Sequence, residues 1–319
     1  MLVRFWGTRG SLPVAPTAET IRRKIARALI AADGRKFDDE AGARSFVEQE
    51  LGFAAGATYG GATPCVEIEA GSSYFICDMG SGLRPFGIDS MKRNAAGHSR
   101  TYNFFQSHLH WDHIMGFPFF APAFDPAATI RIHAGHPDAE QAFRRQQEEI
   151  SFPVPFEWLR ADIEFVQLTP GETHEVDGMR IETILQHHSH ASYGYRFTDG
   201  GGRSVIYSTD SEHKPDNMAD EAAFIDFFRD ADLVICDTMY SLGDSVSMKE
   251  DWGHSSNLVA VDLCHQAKAR SLALFHHEPT YQDEDIQRMH EESIRYEELT
   301  REGQPLDVIC AYDGLEVRL

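Results

Sequence analysis

The segment SHLHWDH, residues 107–113, carries the densest set of chemically useful side chains in this 319-residue chain. His108, His110, Asp112 and His113 place three imidazoles and one carboxylate within six residues, directly after the strand-like run TYNFFQ. Imidazole nitrogen and carboxylate oxygen are ligands that suit Zn²⁺. We therefore expect this segment to bind a divalent metal ion.

So short a segment cannot surround two metal ions, and further ligands would have to come from distant loops. His188, Asp210 and His276 are candidates, because each follows a strand-like run. Taken singly, a histidine after a strand is more often structural than catalytic. Together the three complete the set that a binuclear site needs, and the carboxylate could bridge two cations.

Short apolar runs at strand length and stretches of helical periodicity predict the elements that position these residues. Strands are expected at Leu2–Trp6, Cys65–Ala70, Ser73–Asp78, Thr101–Gln106, Ile130–His133, Ile163–Leu168, Met179–Leu185, Tyr193–Phe197, Ser204–Ser208, Leu233–Asp237, Ser271–Phe275, Asp307–Ala311 and Leu315–Leu319. Helices are expected at about 19–31, 38–51, 137–150, 219–229, 256–268 and 283–301. This mixture favours packed sheets with helices outside, and not a bundle. We predict a single domain over 1–319, with a helical insertion at about 15–58.

The composition bounds the function. The chain is 42% hydrophobic and carries a formal net charge of −21, which disfavours a long polyanionic partner, because nucleic-acid binding depends on Lys and Arg contacts to phosphates. The one dense basic run, residues 22–27, is interpreted as a solvated helix face, with Ile21, Ile25, Ala28 and Leu29 as the apolar positions. No apolar stretch is long enough for a transmembrane helix, and the start lacks a signal-peptide core. Five scattered cysteines are expected to be buried, reduced thiols, so a cytoplasmic location is predicted.

The order of motifs along the chain resembles the metallo-β-lactamase superfamily, and most closely its branch with ribonuclease Z and phosphodiesterase-like hydrolases. The segments that carry the resemblance are RFWGTRGSLP, YGGATPCVEI, FICDMGSGLR, SHLHWDHIMGFPFF, HHSHASYGYRF, VIYSTDSEH, LVICDTMYS, WGHSSNLVAVDL and LALFHHEP. They cover nearly the entire chain in the expected order. The resemblance implies an α/β (α+β) fold, a four-layer αββα sandwich with the site at one edge of two packed sheets.

Carried over residue by residue, the resemblance implies two sets of metal ligands. One metal would be bound by His108, His110 and His188, and the second by Asp112, His113 and His276, with Asp210 bridging. His187 and His190 compete with His188, which is preferred because the related pattern places this ligand six residues before Gly194. His277 competes with His276, which is preferred as the first residue past its strand. Asp78 would sit beneath the site as a supporting residue and not as a ligand.

His254 matches the histidine of a ribonuclease Z-type H-S-[ST] segment. The resemblance places it beside the scissile group, where it could donate a proton or a hydrogen bond. The alternative is that His254 only helps to begin the following helix, for which Ser255 or Ser256 offers an N-cap. Both interpretations remain open at the level of sequence.

The expected function is a binuclear metal-dependent hydrolase. The first expectation is a phosphodiesterase acting on small, nucleotide-type diesters through a metal-bound hydroxide that Asp112 orients, with His254 protonating the leaving oxygen. Zinc is the first expectation for the metal, and Mn²⁺ or Fe²⁺ would accept the same ligands. The alternatives are tRNA 3′ processing and a non-enzymatic, metal-dependent small-molecule binding or biosynthetic protein. The expected partner is a small phosphodiester, with no nucleic acid and no membrane; a homodimer is a possible assembly.

Overall fold

Two seven-stranded β-sheets carry the fold in the computed structural model, which describes residues 1–213, 218–245 and 252–319. The first sheet contains β1 (Leu2–Gly7), β2 (Cys65–Glu69), β3 (Tyr74–Cys77), β4 (Thr101–Gln106), β5 (Thr129–Ala134), β6 (Asp162–Gln167) and β14 (Glu316–Arg318). The second contains β7 (Thr173–Val176), β8 (Met179–Gln186), β9 (Ser192–Thr198), β10 (Ser204–Ser208), β11 (Leu233–Asp237), β12 (Ser271–Phe275) and β13 (Asp307–Cys310).

The two sheets have matching topologies. The strand order is β14-β1-β2-β3-β4-β5-β6 in the first sheet and β13-β12-β11-β10-β9-β8-β7 in the second. In the first sheet the pairs from β3 to β6 are parallel, while the pairs from β14 through β1 and β2 to β3 are antiparallel. In the second, β10 to β13 pair in parallel and β7 to β10 antiparallel. The carboxyl ends of the parallel strands therefore meet at one edge of the molecule.

Helices cover the outer faces of both sheets. They are α1 (Ala18–Ala32), α2 (Glu40–Glu50), α3 (Phe53–Gly56), α4 (Leu83–Ala95), α5 (Trp111–Ile114), α6 (Ala139–Gln146), α7 (Met218–Phe228), α8 (Leu242–Ser245), α9 (Asn257–Ala267) and α10 (Asp283–Thr300), with 3₁₀ turns at Phe117–Phe119, Ala121–Phe124 and Phe156–Trp158. Ser256 caps α9, because its side chain accepts a hydrogen bond from Val259 N at 3.4 Å. Helices α1 to α3 occupy the range that was predicted as an insertion.

Three buried clusters show how the layers pack. The central cluster joins the inner faces of the two sheets and includes Phe5, Phe105 and Tyr207. A second cluster packs the outer face of the first sheet against α4, α5 and α6, and a third packs the outer face of the second sheet against α7 and α9. Each sheet thus buries both faces, which requires the apolar strands that the sequence contains. The predicted αββα sandwich is confirmed.

Most of the basic run on helix α1 is exposed, as the sequence predicts: the side chains of Arg23 and Arg27 are 42% and 47% exposed, and Lys24 alone turns toward the body of the protein. Lys24 Nζ lies 2.6 Å from Asp283 Oδ2, and its side chain is only 13% exposed. Arg27 pairs with Glu284 on the same helix, α10. The apolar positions of this helix are also exposed, with exposed fractions of 44% for Ile21, 55% for Ile25 and 70% for Leu29. Ion pairs with the acidic first turn of α10 therefore connect this helix to the rest of the protein.

Candidate metal centre

The predicted ligands and the supporting residue Asp78 meet at the edge where the parallel strands end. Asp78 follows β3, the segment 107–113 follows β4, Asp210 follows β10 and His276 follows β12. His188 comes from the loop after β8. Because each side chain projects from the end of a buried strand, the two sheets fix the spacing between residues that are far apart in the sequence.

Several of these residues hold the left-handed backbone conformation that is uncommon outside glycine. The φ angle is 59° at Asp78, 47° at Asp210 and 62° at His276. Ser11, beside the site, has φ 55°. Such conformations cost energy and cluster where a fold holds functional groups in place. The strand-end turns therefore aim these side chains into the site.

Possible ligand atoms gather into overlapping groups, in each of which the atoms lie within 4.8 Å of one another. The described residues form three such groups: His108, His110, His188 and Asp210; Asp112, His113 and His276; and Asp210, His254 and His276. The structure thus brings together all seven residues that the sequence proposed as ligands. Their division into two sets is the one that the resemblance implied, and His254 lies close enough to join the third group.

The Asp210 carboxylate faces both ligand sets. Its Oδ2 lies 3.6 Å from His108 Nε2 and 3.6 Å from His188 Nε2. Its Oδ1 lies 3.2 Å from His113 Nε2 and 3.3 Å from His276 Nε2. One oxygen atom is therefore directed toward each set, the arrangement that a bridging carboxylate requires.

The histidines that competed for these positions lie elsewhere. His277 Nε2 donates to the carbonyl of Ala311 at 2.8 Å, and His277 does not enter the cluster. The ring of His190 is 6.1 Å from that of His110, and His187 packs toward Phe224 at 6.4 Å. His188 and His276 thus occupy the cluster positions, and their role as metal ligands stays a prediction.

The donor set fits divalent cations. His108 Nε2 is buried and has no hydrogen-bond partner among the described residues, and His188 Nε2 and His110 Nδ1 face each other at 3.1 Å. Burial lowers the pKa of His108 and His188, and lowers that of His110 to about 4. These imidazoles are therefore neutral at pH 7, the state in which nitrogen binds a metal.

Negative charge surrounds the second ligand set. Burial opposes protonation of His113, but the carboxylates of Asp112, Asp210 and Asp78 outweigh it and raise the pKa of His113. Burial likewise disfavours ionised Asp112, yet His113 and His276 hold its pKa well below the usual range. Three carboxylates around one imidazole are an excess of anionic charge that a bound cation would neutralise.

Asp78 is buried beneath the cluster and orients its residues. Its Oδ2 accepts hydrogen bonds from His113 Nδ1, Tyr207 Oη and Ser107 Oγ, each at 2.7 Å. Its Oδ1 accepts from Ser107 N at 2.8 Å and from Gln106 Nε2 at 3.0 Å. The bond to Nδ1 leaves His113 Nε2 directed at the cluster, which is how a supporting carboxylate prepares a metal-binding histidine.

His254 stands beside the cluster and is held by a buried carboxylate. Its Nδ1 donates to Asp237 Oδ2 at 2.8 Å, and Nδ1 lies 4.0 Å from Asp210 Oδ2. Its ring stacks on His276 at 5.2 Å between centroids. Burial lowers the pKa of His254, but Asp237 and then Asp210 outweigh it and raise the pKa to about 9. The arrangement can present a protonated imidazole to a group bound at the cluster.

Three supporting groups were not identified from the sequence. Asp237 holds His254, as described above. The amide of Ser11 donates to Asp112 Oδ2 at 2.8 Å, and the carbonyl of Gly253 accepts from His188 Nδ1 at 2.9 Å. Asp237 could have been found from the sequence, because it lies at the end of a buried strand as Asp210 does. The two backbone groups leave no signal in the sequence.

A four-layer sandwich with histidine and aspartate ligands at its strand ends defines the metallo-β-lactamase class of metal-dependent hydrolases. A family model for the beta-lactamase superfamily domain matches residues 103–277. The chain therefore belongs to this family.

Several known proteins of this class are similar to the chain, over different shares of its length. Ribonuclease Z of Thermoplasma acidophilum is 30% identical over 144 residues, which are 42% of this chain and 44% of that protein, so the match spans less than half of the relative. The metallo-β-lactamase fold protein YhfI of Bacillus subtilis is 18% identical, with a TM-score of 0.64 over 99% of this chain and 98% of that one. A diphosphatase of the PhnP family is also 18% identical, with a TM-score of 0.60 over 100% and 97%. Both structures share the fold.

Two further expectations from the sequence can be compared with the structure. All five cysteines are buried and unpaired. Among the described residues, no helix combines the length and the apolar character needed to span a membrane.

Proposed function

We propose that the protein is a binuclear metal-dependent phosphodiesterase that hydrolyses small diesters. The observation that carries the proposal is the Asp210 carboxylate, which faces two sets of ligand atoms while His254 lies 4.0 Å from it. The two sets would hold one divalent cation each: His108, His110 and His188 for one, and Asp112, His113 and His276 for the other. When bound, such cations neutralise phosphoryl charge and make a water nucleophile available at neutral pH.

The chain's own residues would then position and protonate the reacting groups. Asp112 is fixed by the amide of Ser11, so its carboxylate can accept a hydrogen bond from an attacking water and orient it. His254 would donate a proton to the leaving oxygen. Its bond to Asp237 fixes the ring orientation and leaves Nε2 as the atom available for transfer.

Charge supports a small substrate over a long polynucleotide. The net charge is −21, and three residues of the basic run on α1 are engaged with the acidic start of α10: Lys24 with Asp283, and Arg23 and Arg27 with Glu284. Polynucleotide binding would need many free Lys and Arg contacts to phosphates. A small diester needs only the cluster itself.

Cleavage of tRNA 3′ ends is the second candidate, because the curated relative that matches 42% of the chain is named a ribonuclease Z. The charge distribution counts against it for the reason just given. A non-enzymatic metal-dependent binding protein is the remaining alternative, and the complete cluster with an adjacent proton donor argues against that role.

The proposal is tested with purified protein loaded in turn with Zn²⁺, Mn²⁺ and Fe²⁺. Bound metal is counted by elemental analysis, and hydrolysis is assayed on bis-p-nitrophenyl phosphate, small nucleotide diesters, a thioester, a β-lactam and precursor tRNA. We expect about two metals per chain and hydrolysis of the diesters. Efficient tRNA cleavage without diester hydrolysis would favour the second candidate. Metal binding with no turnover of any substrate would favour the non-enzymatic alternative.

A further inference from the structure

Arg9 is a buried charged residue that the proposed reaction does not use. It lies in the loop after β1, within the segment RFWGTRGSLP, and is only 3% exposed. Burial lowers the pKa of its guanidinium, and Asp283 and then Asp313 oppose this shift. Arginine stays protonated at pH 7 even when it is buried, so the protein holds a positive charge in its interior. Burying a charge costs free energy unless hydrogen bonds compensate for it, so the contacts of Arg9 indicate what it holds in place.

The guanidinium donates hydrogen bonds to three backbone carbonyls from two separate segments. Its Nε donates to the carbonyl of Gly60 at 3.0 Å. Its Nη1 donates to the carbonyls of Glu278 and Tyr281, each at 2.9 Å. The planar fork of donors on one side chain therefore connects the turn at Gly60, the loop after β1 and the loop after β12.

The backbone of the loop after β1 pairs with the segment that carries His276. Arg9 and His277 form a parallel β-bridge, in which Gly10 N donates to the carbonyl of His277 at 2.9 Å and His277 N donates to the carbonyl of Thr8 at 3.0 Å. Gly10 also lies against the ring of His276, where there is no room for a larger side chain. The position of His276 therefore depends on the position of this loop.

One residue further along, the same loop contacts a second member of the cluster. Ser11 N donates to Asp112 Oδ2 at 2.8 Å, and Ser11 holds a left-handed φ of 55°. Such a conformation persists only where the surrounding contacts hold the turn in place. Asp112 and His276 belong to the same predicted ligand set, so one loop positions two of its three members.

The other ligand set is held by different parts of the chain. The carbonyl of Gly253 accepts a hydrogen bond from His188 Nδ1 at 2.9 Å, and Ser107 Oγ lies 3.0 Å from His108 Nδ1. Neither contact involves the loop after β1. A change in that loop should therefore reach one ligand set and spare the other.

We propose that Arg9 is a positioning residue for the second metal ion, the one proposed for the set that contains Asp112 and His276. Its three hydrogen bonds hold the loop after β1 in register with the segment 276–281, and this register aligns both ligands. Without these bonds the second ion should bind weakly, while the first ion binds as before. The inference rests on the proposed two-ion site and adds to it a residue that controls one ion separately from the other.

Hydrogen–deuterium exchange on the metal-free protein tests the positioning step without metal or turnover. Arg9→Ala should accelerate exchange at the amides of Gly10, Ser11 and His277, because their hydrogen bonds depend on the register of the two segments. The expected acceleration is at least about 10-fold, the order of magnitude that loss of a hydrogen bond from a charged donor provides. Arg9→Lys keeps the charge but not the planar fork, so it should give a smaller acceleration, and it carries the test if Arg9→Ala does not fold.

Arg196→Ala is the matched control. Arg196 Nη1 also donates to two backbone carbonyls, those of Phe227 at 2.8 Å and Arg229 at 2.9 Å, but these lie at the end of α7. Its removal should loosen that end of the helix and leave the three amides near Arg9 unchanged.

Observing the two ions separately gives the second readout. With Cd²⁺ as the probe, ¹¹³Cd NMR of the wild-type protein should show two resonances, because one ligand set offers three nitrogen atoms and the other offers two. The resonance that is lost in His276→Ala belongs to the second ion. Arg9→Ala should raise the Kd of that ion by at least about 10-fold, as removal of a supporting contact commonly does, and leave the Kd of the other ion nearly unchanged.

Unchanged exchange at the three amides in both Arg9 variants would overturn the inference. Equal weakening of both ions, or acceleration spread evenly over the chain, would also overturn it, because either result would mean that Arg9 only stabilises the fold. A single resonance or none in the wild-type protein would contradict the proposed two-ion site instead. The exchange experiment would then still decide whether Arg9 positions the loop.

Discussion

His254 donates from Nδ1 to the buried carboxylate of Asp237 across 2.8 Å. The bond places a proton on Nδ1 and directs it at Asp237, which leaves Nε2 as the nitrogen available to the site. Asp237 ends a parallel strand, as the residues of the cluster do, so the same sheet that positions the ligands also positions the histidine.

Removal of the proton donor should affect substrates according to their leaving group. His254→Ala should slow turnover of a nucleoside-alkoxide diester about 10²–10⁴-fold, the usual range for a positioned proton donor, because an alkoxide departs poorly without protonation. The loss should be smaller for p-nitrophenyl diesters, whose leaving group departs without a proton. Steady-state kinetics on both substrates measures the contrast.

Asp237→Asn is the matched variant, since it keeps the volume and changes only the charge beside His254. It should reproduce part of the same leaving-group contrast. Equal losses on both substrates for His254→Ala, or loss of metal in that variant, would mean that His254 positions or completes the site and does not donate a proton.

Removal of a metal ligand should lower the metal content without unfolding the protein. His110→Ala and Asp210→Asn should each lower the metal content from about two ions per chain, because each removes or weakens a ligand. Asn is the better replacement at position 210, where φ is 47°, since Asn tolerates this conformation. Elemental analysis measures the metal, and circular dichroism should show retained secondary structure.

The contrast between His188→Ala and the exposed His190→Ala tests which histidine of the loop after β8 is the ligand. Full metal content in the first variant and loss in the second would show that His190 is the ligand.

A glycine that carries no ligand should nevertheless control the site. A methyl group added at Gly10 would lie 2.7 Å from His276 Cε1 and 2.8 Å from its Nδ1, closer than side-chain atoms normally approach. Gly10→Ala should therefore displace His276 and reduce metal content and diester hydrolysis by at least about 10-fold. Gly200→Ala is the control, because an added methyl group there meets no atom within 4 Å. Unchanged metal affinity in Gly10→Ala would show that the turn can move away from the ring.

Much of the fold was predictable because the buried strands are continuous apolar runs. The bounds of β4, β10, β11 and β12 match the prediction to the residue. Helix α4 was not predicted, because Pro85 and Gly87 lie within it and break the helical signal. Strand β7 was not predicted either, since THEV is short and largely polar at the edge of its sheet.

The site could be predicted where its residues lie close together in the sequence. The spacing of His108, His110, Asp112 and His113 follows from one strand end and one helical turn. The partners of Asp112 and His254 were not predictable, because Ser11 and Asp237 reach them through tertiary packing. The burial of Lys24 was not predictable for the same reason, because its ion pair is with Asp283 of α10, more than 250 residues away.

The last prediction concerns a histidine buried between the sheets, away from the cluster. His133 is 4% exposed and stacks on Phe105 at 4.7 Å, and neither of its ring nitrogens has a hydrogen-bond partner among the described residues. Burial first, then the nearby Arg131 and His174, lower its pKa to about 4, and Asp177 opposes them only in part.

The folded protein therefore keeps His133 neutral where the unfolded chain, with a pKa of about 6.5, binds a proton. Because the unfolded state binds more protons between these values, stability should fall as the pH drops from about 6.5 to about 4, by about 3 kcal/mol in total from this residue. His133→Phe keeps the stacked ring and removes the two nitrogens, so it should raise the free energy of unfolding at pH 5 more than at pH 8. Urea unfolding of both proteins at the two pH values measures this difference. An equal change at both pH values would show that His133 is not titrated on unfolding in this range.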